Sequence, residues 1–309
     1  MPTLRQAFLH TNTMLTPSDL HKRSVLLQAA RSFFFARNYL EADTPIRLPM
    51  LIPEVEIQPL TSEGRFLQTS PELCMKRLLA GGCSRLFQIC RCFRKGERGR
   101  LHQEEFAMLE WYQVGWSYVE LMAESEALVR ELAHICAEQG WQDLPAWAAQ
   151  AEPWLRLTVE EAFQRFVGIS AEHAVATGNF DQLLVEQVEP ELGRLGAVFL
   201  CDYPIALASL ARPRPDKPTV AERVELYING IELANGFSEL TDAAAQRRRF
   251  SAEMEKAGIS SDLMPEKFLR AVEQLPDCAG IALGLDRLLM ILLGRKSIAE
   301  VLPFADEEL

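Results

Sequence analysis

The sequence predicts an α+β fold. Helical patterns are mixed with antiparallel hairpins and follow no regular βαβ rhythm, which argues against a doubly wound sheet. No Walker A loop and no Gly-x-Gly-x-x-Gly fingerprint occurs in the 309 residues, so any nucleotide is held without those two folds. Hydrophobic residues make up 48% and charged residues 24%, which leaves ample apolar material for a core and excludes disorder, collagen and coiled coil.

Ser18 is the expected N-cap of a helix to about Asn38, with Leu26, Ala30, Phe33 and Phe34 on one face. Residues 39–43 read as a short strand ended by Thr44-Pro45, and residues 66–69 as another. Ser70-Pro71-Glu72 then combines a cap, a proline and a first-turn acid, opening a helix that stops at Gly81-Gly82. Strands are expected at 86–94 and 104–114, joined by a basic loop. The period of two puts Phe106, Met108, Glu110 and Tyr112 on one face. Ser117 with Glu120, and Thr158 with Glu161, are capping-box patterns that open helices closed by Gly140 and Gly168. Between them, residues 141–154 read as an Ala-, Pro- and Trp-rich linker. A buried strand is expected at 197–201. Asn229-Gly230 is the turn of a hairpin between 224–228 and 231–234. Two helices at about 242–257 and 265–275, a strand at 280–284 and a helix at 286–293 complete the pattern.

The net charge is −11, which speaks against non-specific nucleic-acid binding, where neutralising phosphates supplies the affinity. The charge is uneven, however. Arg85, Arg91, Arg94, Lys95, Arg98 and Arg100 fall within sixteen residues whose single acid is Glu97. Such a cluster suits a small polyanion such as a nucleoside triphosphate, or a solvated hairpin tip. The longest apolar stretch, 281–294, is broken by Asp286-Arg287, so it spans no bilayer. The first twenty residues lack the basic flank and apolar core of an export signal. Seven cysteines occur without a Cys-x-x-Cys, and Cys90 and Cys92 alternate in a strand as buried thiols. A cytoplasmic protein is expected.

Candidate chemistry lies at three places. In the hairpin, Ile228 faces Ile231 and Tyr227 faces Glu232. Glu225 is then the diagonal neighbour of Glu232 on the same face, with backbone positions roughly 7–8 Å apart. Two such carboxylates suit one hard cation on phosphate oxygens, or form a solvated acidic face. Around the basic loop, Arg94, Phe106 and the Glu110–Tyr112 pair offer groups for phosphate, base and a cationic substrate. In Gly280-Ile-Ala-Leu-Gly-Leu-Asp-Arg287, an arginine in the first helical turn opposes the helix dipole. That placement suggests another task for Arg287, with a salt bridge to Asp286 or a neighbour as the plain alternative.

Taken together, these residues resemble the class II aminoacyl-tRNA synthetases. Tyr39-Leu-Glu-Ala-Asp-Thr-Pro45 resembles their motif 1. Phe93-Arg94, His102, Glu105-Phe106 and Glu110-Trp-Tyr112 resemble motif 2, and 280–287 resembles motif 3. Thr69-Ser-Pro-Glu72 and the run from Gly230 to Leu240 resemble the lysyl branch. Motif 1 begins by residue 39, too early for the N-terminal anticodon-binding OB domain of that branch. Ala282 stands where lysyl-tRNA synthetases carry glycine. Both features are similar to stand-alone ligases of the branch, which modify translation elongation factor P.

The resemblance implies a single catalytic domain over 1–309 with a helical or linker insertion at about 117–196. Its sheet would be antiparallel, six- or seven-stranded and flanked by helices, and its dimer would form through motif 1. It implies ATP and Mg2+ as cofactors, a lysine-like amino acid as substrate, elongation factor P as acceptor, and no tRNA or membrane partner. By position, Arg94 would hold the α-phosphate, and Arg100, His102 and Arg287 the distal phosphates. Phe106 would stack on adenine, with Lys95, Gly96, Gln103, Leu233 and Gly284 completing the nucleotide site. Glu225 and Glu232 would bind magnesium. Glu110, Tyr112 and Glu239 would surround the side-chain ammonium, and Ser70 and Glu72 would take the backbone amine. Asn235 and Gly236 would lie near the carboxylate, and Ala282 would shape the substrate pocket.

Two departures stand out. Motif 2 continues Phe-Arg-Asn-Glu in the family but Phe93-Arg94-Lys95-Gly96 here, with Glu97 one residue later. The family's His-Asn-Pro-Glu-Phe is His102-Gln-Glu-Glu-Phe106. Two other readings fit the same motifs: an adenylate-forming enzyme with another acceptor, and a synthetase-like regulatory subunit without catalysis.

Overall fold

The computed structural model describes residues 15–208 and 210–304. Residues 1–14, most of the segment read for an export signal, lie outside the described residues. Helix α1 (Pro17–Ala36) is capped by Thr16 rather than Ser18. The Thr16 hydroxyl accepts from the Asp19 amide at 3.1 Å, and Pro17 occupies the first turn, where a missing N–H is harmless.

Strands β1 (Leu40–Glu41), β2 (Arg47–Leu48), β3 (Thr61–Ser62) and β4 (Arg65–Leu67) follow, then α2 (Glu72–Ala80), β5 (Arg85–Phe93) and β6 (Glu105–Val114). Next come α3 (Tyr118–Glu138), α4 (Ala146–Ala149), β7 (Leu155–Thr158), α5 (Val159–Phe166), α6 (Ala171–Ala176), α7 (Phe180–Leu183), α8 (Glu189–Leu195) and β8 (Ala197–Pro204). The order ends with β9 (Val220–Ile228), β10 (Ile231–Ser238), α9 (Ala243–Ala257), α10 (Glu266–Val272), β11 (Cys278–Gly284) and α11 (Leu285–Leu292). Both predicted capping boxes are present, at α3 and α5.

The main sheet runs β1-β5-β6-β11-β10-β9-β8-β7. Its six inner strands are antiparallel, as expected, and the two short edge strands pair parallel with their neighbours. A second sheet, β2-β4-β3, was not foreseen, because strands of two or three residues carry no readable period. The stretch 141–154, expected as a linker, instead forms α4 and buries Trp147 and Trp154. The Trp154 indole donates to the Trp147 carbonyl at 2.8 Å.

The Asn229-Gly230 turn has φ of 52° and 76°, the left-handed pair of a type I′ turn that matches strand twist. Ile231 pairs Ile228 and Glu232 pairs Tyr227, as predicted, but a bulge between Glu232 and Ala234 then shifts the register.

The alternation of strand side chains divides the sheet into two faces. Leu109, Trp111, Ile281, Leu283, Leu226 and Phe199 join the main core with Leu26, Phe33 and Phe34 of α1 and Leu121, Leu128 and Leu132 of α3. Tyr39, at the start of motif 1, donates its hydroxyl to buried Glu124 of α3 at 2.7 Å, tying the chain between α1 and β1 to this core. On the opposite face, α5 to α8 cover the β8 end through Val198, Leu200 and Tyr203. Helix α2 packs near β5 and β6 through Met75 and Leu79, against Leu86 and Tyr112. A cavity opens between these two coverings. Among the described residues no helix is long and apolar enough to cross a membrane.

Candidate active site

The uncovered face presents the predicted residues as rows across the sheet. One row runs Gln88, Glu110, Ala282, Asn235, Glu225 over β5, β6, β11, β10 and β9. The next runs Tyr112, Gly280, Phe237, Arg223. Directly paired residues share a face, so five strands deliver groups from four widely separated parts of the sequence to one place. Gly280 is required by this packing. A Cβ there would lie 2.0 Å from the Tyr112 ring.

Above these rows lies a cavity of about 370 Å³. Arg94, Arg287, Ser70, Glu72, Asn235, Ala282, His102, Gln103, Phe106, Glu225, Glu232, Leu233 and Gly284 line it. Glu110, Tyr112 and Glu239 lie just behind the wall, bonded to residues at or next to it. Gly236 lies in β10 against Ile281, where a Cβ would come within 2.7 Å of the Ile281 Cβ. Lys95, Gly96 and Arg100 are not among the walls. The Gly96 amide donates to Glu104 at 2.7 Å, the Lys95 amide to the Gln58 carbonyl at 2.7 Å, and Arg100 to the Lys296 carbonyl at 3.0 Å.

One end of the cavity is acidic. Glu110, 1% exposed, accepts from the Tyr112 hydroxyl at 2.6 Å and from Ser70 at 2.8 Å. The Ser70 hydroxyl also accepts from the Glu72 amide at 3.0 Å, so it caps α2 although Pro71 holds the cap position. Burial pushes Glu110 up to about 7, and Glu72 adds to the rise. Lys76, which the sequence reading missed, dominates this end. Its side chain is 3% exposed, and its ammonium ion-pairs with both Glu72 and Glu239. Two carboxylates assigned to the substrate are thus bridged by an internal ammonium. Burial still pushes Glu239 up to about 8, against the lowering effect of Lys76. The signal was present as the i, i+4 spacing of Glu72 and Lys76 on one helix face.

The other end is basic and aromatic. The Arg94 guanidinium sits 5.1 Å from the Phe106 ring centroid, and its Nε is buried without a hydrogen-bond partner among the described residues. Glu97 also lines the cavity, 3.7 Å from the Arg94 guanidinium, so an acid adjoins this arginine despite the altered motif. Arg287 does not pair with Asp286, which instead holds Arg23 at 2.7 Å and the Ala107 amide at 2.6 Å. It donates to the Leu101 carbonyl at 3.2 Å, the Glu232 carbonyl at 2.8 Å and His102 Nε2 at 2.6 Å. Burial and the Arg287 charge push the His102 pKa down, so the ring is the neutral acceptor of that bond.

Glu225 is already engaged. Tyr203 donates to it at 2.5 Å and Tyr227 at 2.8 Å, and Arg223 pairs with its other oxygen. Glu232 has Arg287 at 3.6 Å. Burial, then Glu225, pushes Glu232 up. Burial, then Glu232 and Glu225, pushes Glu189 up to about 7. Among the described residues no group of three or more His, Cys, Asp or Glu is arranged to hold a metal by itself. Hard oxygens that repel one another fit magnesium, which takes one or two carboxylates and completes its shell with water and phosphate.

A sheet whose six inner strands are antiparallel and gather arginines, an aromatic plate and paired carboxylates is the architecture of an adenylate-forming synthetase domain. The chain belongs to the family of class II tRNA synthetases (D, K and N), whose model matches residues 2–308. It is similar to the elongation factor P–(R)-β-lysine ligase of Klebsiella pneumoniae subsp. pneumoniae, 36% identical over 93% of this chain and 94% of that protein. Ligases of the same name from another Klebsiella pneumoniae strain and from Salmonella choleraesuis match with the same identity and coverage.

Proposed function

We propose that this protein uses ATP to activate a lysine-type diamino acid, (R)-β-lysine or lysine, as its adenylate, and joins it to a lysine side chain of elongation factor P. One observation carries the reading. A single cavity has a phosphate-type wall of Arg94, Phe106 and Arg287 at one end and a carboxylate–phenol pocket of Glu110 and Tyr112 behind the other. The relatives' names supply the acceptor.

In the first step a carboxylate oxygen of the amino acid attacks the α-phosphorus of ATP, and pyrophosphate leaves. No protein-bound intermediate is needed, so catalysis rests on in-line positioning and fixed cations. In the second step the acceptor amine attacks the adenylate carbonyl, an amide forms and AMP departs. Glu225 and Glu232 would hold magnesium, which would supply neutralisation of phosphate charge. Glu110 and Glu239 offset the terminal ammonium, which is costly to bury unpaired. A homodimer through residues 39–45 and a cytoplasmic setting belong to the same proposal.

Incubated with ATP, magnesium and the amino acid, elongation factor P gains one aminoacyl mass on a single lysine, read by intact-protein mass spectrometry. Lysine tRNA is not charged at a comparable rate. Robust charging of that tRNA with no change in elongation factor P would overturn the acceptor assignment.

Amino-acid binding is also pH-dependent. Glu110 at about 7 and Glu239 at about 8 are partly protonated in the free protein at neutral pH. An incoming ammonium favours their anions, so binding releases protons. Affinity therefore rises from pH 6 to pH 8, by up to about tenfold per pH unit for each carboxylate ionised, and levels off above. Calorimetry in buffers of different ionisation heat reads the released protons. A dissociation constant that stays flat over this range would contradict the assignment.

A further inference from the structure

Six carboxylates line the cavity, and five have a cation beside them. Glu72 has Lys76, Glu97 has Arg94, Glu225 has Arg223, Glu232 has Arg287 and Asp286 has Arg23. The sixth, Glu54, has no hydrogen bond or ion pair from its carboxylate to any described residue.

We propose that Glu54 receives the ammonium group nearest the reacting carboxylate of the amino acid, and so selects substrates that carry an amine close to that carboxylate. This rests on the function proposed above and names a specificity residue for it.

The loop carrying Glu54 is fixed on both sides. Ile52, 6% exposed, packs with Leu73 of α2, and the Gln58 carbonyl accepts from the Lys95 amide, next to Arg94. The Val55 amide reaches Glu253 of α9 at 3.4 Å. Glu54 is therefore held between the helix that carries Glu72 and the loop that carries Arg94. The charges felt by its carboxyl agree with that placement. Burial pushes it up to about 7, Glu72 raises it further, and Arg94, Arg223 and Lys76 pull it down.

The substrate fits this arrangement end to end. Its terminal ammonium goes towards Glu110, and its carboxylate must reach the phosphate that Arg94 faces. An amine one or two carbons from the carboxylate then falls at the Arg94 end. Glu72, at the acidic end, already pairs with Lys76 through one oxygen, and Glu54 is the lining carboxylate without a partner among the described residues. A half-dry carboxylate gains most from an ammonium that brings both charge and donors.

The test compares (R)-β-lysine, lysine and 6-aminohexanoate, which keeps the terminal amine and carboxylate but lacks the amine between them. Calorimetric binding and ATP–pyrophosphate exchange are measured on the wild type, Glu54→Gln and Glu54→Asp. Loss of a charged hydrogen-bond partner weakens binding roughly 10- to 100-fold, so Glu54→Gln should lose that much for the preferred diamino acid. Its affinity for 6-aminohexanoate should be unchanged, and Glu54→Asp should recover part of the loss. Equal losses on all three ligands would show a merely structural residue, and no loss on any would show a bystander. Either result overturns the assignment. If the wild type neither binds nor activates any of the three, the proposed function itself fails. An intact wild type with the wrong variant pattern sinks the Glu54 role alone.

Discussion

Arg94→Ala lowers amino-acid-dependent ATP–pyrophosphate exchange by about 10²–10³-fold, equivalent to about 3–4 kcal/mol of transition-state stabilisation. The guanidinium lines the cavity over Phe106 with a buried Nε that no acceptor among the described residues satisfies. A donor fixed in this way costs nothing to reorganise when charge develops at the α-phosphorus. Arg94→Lys is also severely impaired, because an ammonium keeps the charge but not the planar two-pronged contact. Binding of the free amino acid changes little in either variant, since Glu110 and Tyr112 stand at the other end of the cavity. Exchange kinetics and calorimetric binding on the same preparations check both halves. Near-normal exchange by Arg94→Ala would remove this arginine from the chemistry. A wild type that binds a lysine isomer tightly but never exchanges pyrophosphate would make the protein a regulatory binding module instead.

The parts legible in the sequence were those set by local rules. The Asn229-Gly230 turn adopts the left-handed pair that only such residues take readily, and this fixed the facing of Tyr227 and Glu232. The alternation of Phe106, Met108, Glu110 and Tyr112 was visible because β6 is ten residues long and strand geometry alone sets its period of two. Features that depend on distant partners were not legible. Arg100 lies in the basic cluster that suggested a polyanion, yet its guanidinium bonds the carbonyl of Lys296, 196 residues away. The Thr16 cap escaped notice because Ser18 also satisfies the capping pattern, and only the backbone shows which hydroxyl the Asp19 amide meets. The bulge after Glu232 carries no glycine or proline to announce it. By sequence alone Lys76 is one polar position on a short helix. Its role appears only when β10 brings Glu239 against α2.

That lysine supports the second large effect. Lys76→Met should destabilise the fold by about 3–5 kcal/mol, the cost of leaving buried carboxylates without their cation. This is a large share of a typical domain's total stability. The loss depends on pH. Glu239 already stands at about 8, above its ordinary value, because burial outweighs the attraction of Lys76. Without that ammonium it rises further, and the folded state then holds a proton that the unfolded chain releases from about pH 4.5 upward. A group whose folded pKa is raised loses stability as pH increases through that window. Below about pH 8 Glu239 keeps its proton in both folded proteins, so the gap between wild type and variant is flat there and widens above pH 8, where only the wild type ionises it. Adding Glu239→Gln to Lys76→Met removes the carboxyl that must hold that proton and restores part of the stability at pH 9. Urea unfolding of the three proteins at pH 6 and pH 9 reads all of this. A Lys76→Met variant as stable as wild type at pH 9 would mean that the buried bridge contributes nothing to the fold.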